Sequence, residues 1–496
     1  MKQALILILV LFVSLGSHAQ NLNPSEDEIY REGEVAIIHI TMTPADKAFM
    51  LDDANVWYDE YLPAGLQFEN SLMDTVLAFN VGVRLRGNTS RDQPKRSFKI
   101  KFKEYGGEKF YGYKKFNLKA ENNDPSMIRE LMTMQTFRKA NVPAARTHHA
   151  EVYINGEYMG LYLNVEQLDD EFALSRFNYD EGNLYKCTWP ATLEDDGQIY
   201  DDGPYELKTN EDLNDRSVLA NFVKVLNNTA DDDFEEAIEE VFNVESYLKY
   251  LAVEVLTGHW DGYSYNKNNY YLYENNSTGL VEFIPYDVDN TFGIDWVGRD
   301  WGTRDVLDWT KHGDPRPLSS KILARGKYFR QYKRILDSLL KGDFSEAYYF
   351  PIFNGFKSML KEPLERDVYF PLTFGYSCTD FEDSYTQEVI SHAPYGLKPY
   401  ITTRTSKARE QIGVITGISA KVAARVDVYP NPTTGRTLLI SSEKVIKEIE
   451  LMDMMGRNKN FTVRSIDNSR YQLEFNLSSG IYVIYADGYP SRFIVK

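Results

Sequence analysis

Cysteine is almost absent from this chain. Cys187 and Cys378 are the only two among 496 residues, so a disulfide framework is excluded as the source of stability. A single bridge and two buried thiols remain as alternatives. Positive charge is also in short supply: 55 lysines and arginines face 73 aspartates and glutamates, a formal net charge of −18. Nonspecific nucleic-acid binding needs a basic surface to neutralise phosphates, so no nucleic acid is expected. Divalent cations or basic partners suit the balance better. The apolar run from Ala4 to Gly16 is too short to cross a bilayer comfortably, and no other run reaches spanning length. No transmembrane helix is expected, and no internal repeat emerges.

What the chain does hold is apolar mass. With 43% hydrophobic residues over this length, more than one core can be buried and two or three domains are expected. Met1-Lys2, the apolar run and the small-residue exit Ser17-His18-Ala19 have the charge, core and cleavage site of a secretory signal peptide. Residues 1–19 are read as removed, residues 20–33 as a loose acidic leader, and the mature protein as soluble and outside the cytoplasm.

A strand from Val35 to Ile40 and a helix begun at Pro44 come first. Val81, Val83 and Leu85 then alternate with Gly82, Arg84 and Arg86, as Phe98, Ile100 and Phe102 do with Lys99 and Lys101; this period of two predicts half-buried strands. Paired, they put cations on one face. Their connection, from Gly87 and Asn88 to Ser97, is rich in backbone donors and charge without being a G-x-G-x-x-G loop. It suits a phosphate clamp, with a solvated basic hairpin as the alternative.

Phe116-Asn117-Leu118-Lys119-Ala120 predicts a third strand with Lys119 on its polar face. Asp124-Pro125 offers an N-cap and a first-turn proline for a helix to about Ala140. On that helix Glu130 falls within the apolar arc of Met127, Ile128, Leu131, Met134 and Phe137. A carboxylate facing a core needs a partner. Lys119 is nearest by topology, Lys101 and Lys186 are rivals, and a helix-edge position with the head in solvent is the alternative. A hairpin over 149–154 and 160–166, turned at Asn155-Gly156, follows.

From Ser217 the pattern is helical, over 218–226, 234–242 and 244–256, and again over 328–340, 344–360 and 402–411. Gly258 ends the third of these, and His259-Trp260-Asp261 follows, with Asn266 five residues beyond Asp261. Two strands, 270–273 and 280–284, would return the chain so that Asp287 and Asp289 lie alongside Asn266. Carboxylate and amide oxygens are the hard ligands that Mg²⁺ prefers; an acidic loop without chemistry is the bland alternative. Gly413 to Ala424 is the linker candidate, and the short strands beyond it predict a small β-sandwich.

The segments Arg84-Leu85-Arg86-Gly87-Asn88-Thr89-Ser90, Lys95-Arg96-Ser97-Phe98-Lys99-Ile100-Lys101-Phe102, Asn155-Gly156-Glu157-Tyr158-Met159-Gly160-Leu161-Tyr162 and Ile284-Pro285-Tyr286-Asp287-Val288-Asp289-Asn290-Thr291-Phe292-Gly293 together resemble the CotH family, which contains spore-coat protein kinases. The resemblance implies an α+β, two-lobed, protein-kinase-like domain over 34–412, with a β-rich first lobe and a helical second. It implies ATP and Mg²⁺ as cofactors and phosphoryl transfer to Ser or Thr hydroxyls of a protein substrate. By motif position Asp261 matches the catalytic aspartate, and Asn266, Asp287 and Asp289 match the metal-binding positions. Lys119, Glu130 and Glu166 match nucleotide-binding positions more loosely, with Glu166 at the hinge to the second lobe. Arg86, Asn88 and Lys101 of the basic hairpin complete the expected nucleotide contacts. Tyr286 stands where many members carry Trp.

The tail resembles the C-terminal sorting domain of the type IX secretion system in Bacteroidetes through Tyr429-Pro430-Asn431-Pro432, Leu477-Ser478-Ser479-Gly480-Ile481-Tyr482 and Phe493-Ile494-Val495-Lys496. That implies a linker over 413–425, a sorting domain over 426–496, the secretion machinery as partner, and a secreted or outer-membrane surface location. Two other readings stand beside the kinase. One is an inactive binding or scaffold protein of the same shape, since ATP is scarce outside the cell and the loop after Arg86 lacks the usual glycine pattern. The other is an acidic carbohydrate hydrolase using Asp261 and Asp287 as a carboxylate pair.

Overall fold

In the computed structural model the alternating strands close on themselves. β1 (Val35–Thr41), β2 (Leu62–Asn70), β3 (Met73–Arg86), β4 (Ser97–Lys101), β5 (Lys115–Lys119), β6 (Thr147–Ile154) and β7 (Glu157–Val165) form a seven-stranded barrel in the order β1-β2-β3-β4-β5-β7-β6. Neighbours are antiparallel except β1 and β6, whose parallel pairing closes the barrel. Ile38, Phe68, Val83, Phe98, Ile100, Phe116, Leu118 and Val152 fill the interior and are fully buried. Each such side chain contributes roughly 1.5–3 kcal/mol. On the opposite face Arg84, Lys99 and Asn117 stand in register across β3, β4 and β5. Structure is described for residues 22–413 except 89 and 312, and for 427–496 except 435, 442–445, 447–448, 454–458, 468–469 and 487–488. The expected signal peptide and nearly all of the expected linker lie outside these residues.

Helix α1 (Pro44–Leu51), capped by Thr43, follows β1, and α2 (Arg129–Lys139) lies between β5 and β6. After the barrel come α3 (Asp170–Phe177), β8 (Leu184–Cys187), β9 (Tyr205–Leu207), α4 (Ser217–Asn228), α5 (Phe234–Glu239), α6 (Val244–Thr257), the single turn α7 (Tyr263–Asn266), β10 (Tyr270–Asn275) and β11 (Leu280–Pro285). These strands make a second sheet, β11-β10-β8-β9. The unit ends in α8 (Pro317–Leu323), α9 (Gly326–Lys341), α10 (Glu346–Glu365), α11 (Phe370–Phe374), α12 (Cys378–Asp383) and α13 (Leu397–Ile412). Strands first and helices later is the expected order of a mixed α and β fold. Barrel closure was not legible, because it depends on strand register and tilt rather than on hydrophobic alternation.

Three local expectations are corrected. The leader is not loose. Ile29 and Tyr30 are 1% exposed and belong to the barrel core, while Asp27 pairs with Arg146 at 2.7 Å. Two apolar residues in a polar stretch were enough to dock it. Helix α2 starts at Arg129 rather than at Pro125, because Met127 takes a φ of 63°. Asp124 instead accepts from the Ser126, Ile128 and Arg129 amides, all at 2.8 Å. The cysteines are neither bridged nor both buried: Cys187 is buried and Cys378 exposed, each free.

The chain divides into two compact units at Gly413/Val414. In the second, β12 (Asp427–Tyr429), β13 (Thr437–Ser441), β16 (Arg470–Phe475) and β15 (Phe461–Ser465) form one sheet; β14 (Ile449–Asp453), β17 (Gly480–Ala486) and β18 (Tyr489–Val495) form another. Leu438, Ile440 and Leu473 of the first share one core with Ile484 and Phe493 of the second. The Asn431 side chain bonds both ways to β18, to Arg492 O at 2.8 Å and from Ile494 N at 3.0 Å. Among the described residues no helix is long and apolar enough to cross a membrane.

Candidate active site

Helix α6 is begun by Asn243, whose side chain accepts from Ser246 N, and ended by Gly258 at a φ of 74°. The glycine can hold this left-handed conformation without a Cβ clash, and it turns His259-Trp260-Asp261 out of the helix. Asp261 is then laced to its own loop: the Asn266, Asn268 and Asn269 amides all donate to its carboxylate, Asn269 at 2.9 Å. Burial pushes Asp261 up to about 6 against these bonds, and the charge of Asp287 adds to the rise. From below, the buried Glu254 carboxylate of α6 accepts from the Ser264 hydroxyl, from Ser264 N at 3.3 Å and from Tyr250 at 3.1 Å. A Cβ on Gly262 would lie 2.3 Å from Glu254 Oε1, so the loop fits over the carboxylate only with glycine there.

The hairpin β10–β11, registered Tyr270 to Pro285, returns the chain beside this loop. There the Lys119 ammonium is the hub. It pairs with Glu130 of α2, with Asp287 Oδ1 at 2.7 Å, and lies 3.9 Å from Asp289 Oδ2. Glu130 is 1% exposed and takes Lys119, not Lys101 or Lys186, as its partner. One turn on, Thr133 Oγ1 donates to Thr291 Oγ1 at 2.9 Å, and Phe292 N bonds Thr257 O at 2.7 Å. The acidic segment is therefore tied both to α2 and to the end of α6.

The charges of this cluster do not balance. Burial disfavours the charge on Asp287, but Lys119, with Arg86 and Lys186 adding to it, holds its carboxyl below the usual range. Burial pushes Asp289 well up, and the negative neighbours Asp287, Glu130 and Asp261 oppose the help of Lys119. On the barrel face the reverse holds. Burial, then crowding by Lys115, Arg86 and Arg84, pushes Lys99 well down. Among the described residues no carboxylate pairs with Arg86, Lys99 or Lys186; Lys186 only sits over the Tyr286 ring, 5.1 Å from its centroid. Half-buried cations without anions thus lie beside part-buried carboxylates that share one lysine, the kind of imbalance that marks a candidate site. Among the described residues no three His, Cys, Asp or Glu side chains form a ready metal cage. A cation here would draw on Asp287, Asn266 and ligand oxygens.

Other residues singled out in the sequence lie apart. Asn88 is exposed in its turn, and Lys101 pairs with Glu104 at 2.5 Å and faces the Tyr61 ring. The Glu166 carboxylate is enclosed by Arg146 at 2.8 Å and Arg176 at 2.5 Å, which leaves the side chain nothing to offer a nucleotide. Lys99, Lys186, Glu254 and Thr133 were not picked out as site residues. Lys99 had a signal, its place on the cationic face, while the role of Glu254 had none. His259 is fully buried with neither ring nitrogen hydrogen-bonded.

Residues 83–406 match a family described as CotH kinase protein, and residues 427–492 match one described as secretion system C-terminal sorting domain. The second match supports secretion or display at the cell surface. The inner spore coat protein H of Bacillus subtilis (strain 168) is 28% identical over 303 residues, which cover 60% of this chain and 79% of that protein. Two Rhizopus delemar proteins, invasin CotH2 and invasin CotH7, are 29% and 26% identical over 203 and 247 residues. The chain spans 32% and 40% of their lengths, and 36% and 47% of it is covered.

Proposed function

The chain belongs to the CotH kinase protein family, and on that premise we propose that it transfers the γ-phosphate of ATP to Ser or Thr hydroxyls of a protein outside the cytoplasm. The observation that carries this reading is the Lys119 hub, a strand lysine joined to a helix glutamate and to Asp287, next to the unpaired Arg86, Lys99 and Lys186. Lys119, Arg86, Lys99 and Lys186 would bind phosphate oxygens, and Asp287, Asn266 and Asp289 would hold Mg²⁺. When bound, Mg²⁺ would neutralise phosphate charge as the leaving oxygen gains it. Asp261 accepts the acceptor hydroxyl proton as that oxygen bonds the γ-phosphorus and the bond to the β-phosphate oxygen breaks, releasing ADP. The Asn266, Asn268 and Asn269 amides keep the Asp261 carboxylate oriented for this task, and preorganised groups of this kind supply most of the catalysis. Export follows from a cleaved signal peptide and passage through the type IX machinery on the strength of the sorting domain.

Incubation with labelled ATP and Mg²⁺ should label the protein itself or a coexpressed surface protein, and Asp287→Ala should remove the label with the fold intact by circular dichroism. Undiminished labelling in Asp287→Ala would eliminate the assignment. A second reading is a surface binding protein that keeps nucleotide affinity without transfer. It is favoured by relatives named invasin. Thermal stabilisation by Mg–ATP with no label transferred would select it.

A further inference from the structure

Helix α2 enters the site through Glu130 to Lys119 and one turn later through Thr133 to Thr291. The first turn of the helix is fixed by Asp124, which accepts from the Ile128 and Arg129 amides, and its middle by the burial of Leu131, Met134 and Phe137. At 11 residues it still depends on outside partners over its last turns. Its last turns are held by the segment preceding the barrel. Arg138 pairs with the Glu32 carboxylate, Gln135 Nε2 donates to it at 3.0 Å, and Thr147 Oγ1 at the start of β6 donates to it at 3.1 Å. One carboxylate thus joins α2 to the barrel wall.

The rest of that segment is anchored independently. Asn23 Nδ2 donates to Val142 O at 2.9 Å and its Oδ1 accepts from Ala144 N at 3.1 Å, gripping the turn that leaves α2. Asp27 holds Arg146 at 2.7 Å, and Tyr30, under the Arg146 guanidinium at 5.2 Å, is buried in the barrel end. We infer that residues 22–34 form a strap that sets the position of α2, and that Glu32 is a positioning residue for the Lys119–Glu130–Asp287 contact. A shift of α2 about its axis moves Glu130 and Thr133 together, so loss of Glu32 releases both ties to the acidic segment.

The activity arm of the test rests on the nucleotide reading above; the exchange arm does not. In the full mature chain, Glu32→Ala and Arg138→Ala should each speed amide exchange across 129–139 and 287–293 about tenfold, while β10 and β11 keep their rates. Both should raise the Km for Mg–ATP several-fold, and the double variant should be no worse than either single one. Unchanged exchange in α2 overturns the strap whatever the nucleotide does. Faster exchange in α2 with unmoved exchange in 287–293 also overturns it, since the tie to the site would then be absent. If the wild-type chain binds no Mg–ATP, the nucleotide reading fails, and the paired exchange of 129–139 and 287–293 alone decides the strap. Glu32→Gln, which keeps the one oxygen that Arg138 and Thr147 share but loses the acceptor for Gln135, should restore part of the protection; no recovery relative to Glu32→Ala in a folded protein counts against the positioning role.

Discussion

Two ionic clusters in the first unit, one buried and one part-buried, use the same residue types to opposite ends. Around Glu166, two guanidiniums and the Arg146 amide meet one carboxylate. Burial opposes its charge, but Arg176 and Arg146 hold it down at about 2. Around Lys119, one ammonium serves Glu130, Asp287 and Asp289, while among the described residues Arg86, Lys99 and Lys186 have no carboxylate. The first cluster is closed in charge: its carboxylate is matched by guanidiniums of the same chain. The second is open, and its unmatched charges are what the proposed nucleotide and metal would balance. Burial and conspicuous charge do not separate function from structure; the state of the charge balance does.

The contrast can be broken most directly by neutralising one carboxylate in each cluster. Glu166→Gln should cost about 3–5 kcal/mol in urea unfolding, because it strands the buried Arg176 guanidinium and leaves Arg146 with Asp27 alone, and leave transfer per folded molecule little changed. Asp287→Asn should lower transfer about 10²–10³-fold with a smaller loss of stability, since Lys119 keeps Glu130 as a partner. An Asp287→Asn chain that unfolds would erase the distinction. Acid sharpens it further. The folded value of Glu166 lies near 2 against an ordinary 4.5, so its stabilisation is present above pH 4.5 and is lost as pH falls towards 2. Wild-type stability should therefore drop by about 3 kcal/mol more than that of Glu166→Gln over that window; parallel pH profiles would refute the assignment.

Smaller effects lie on the barrel face. Lys99→Ala should weaken Mg–ATP binding about tenfold by calorimetry, the size of one charge-assisted contact, while raising stability slightly through relief of like-charge crowding. Lys101→Ala and Asn88→Ala should change affinity less than about threefold, since an exposed or surface-paired group contributes little. A larger loss at Lys101 than at Lys99 would mean that the anion lies at the other end of β4.

The sequence reading reached most of the barrel strands because inward Val83, Phe98 and Phe116 alternate with outward polar residues. It missed β2, where Pro63 and Gly65 interrupt the pattern, and β15, most of which is exposed. That Asp261 and Asp287 come near one another was legible from loop spacing and the intervening hairpin, and that Glu130 needs a partner from helix phase, with topology naming Lys119 ahead of Lys101 and Lys186. Glu166 was misjudged by side chain: position along the chain suggested a hinge, but Arg146 and Arg176 come from separate elements and no local pattern announces them. Glu254 left no trace, since a buried glutamate in an apolar helix reads as an irregularity until Ser264 is folded onto it.

Which segments alternate, where helices end, and which acidic and amide residues share a loop are written in the order of residues, because those properties depend on neighbours a few positions away. That β1 closes on β6, that one lysine serves three carboxylates, and that among the described residues Arg86, Lys99 and Lys186 have no carboxylate partner emerge only on folding. Charge balance is a sum over residues distant in the chain, and Coulomb energies depend on separations and burial that only folding sets.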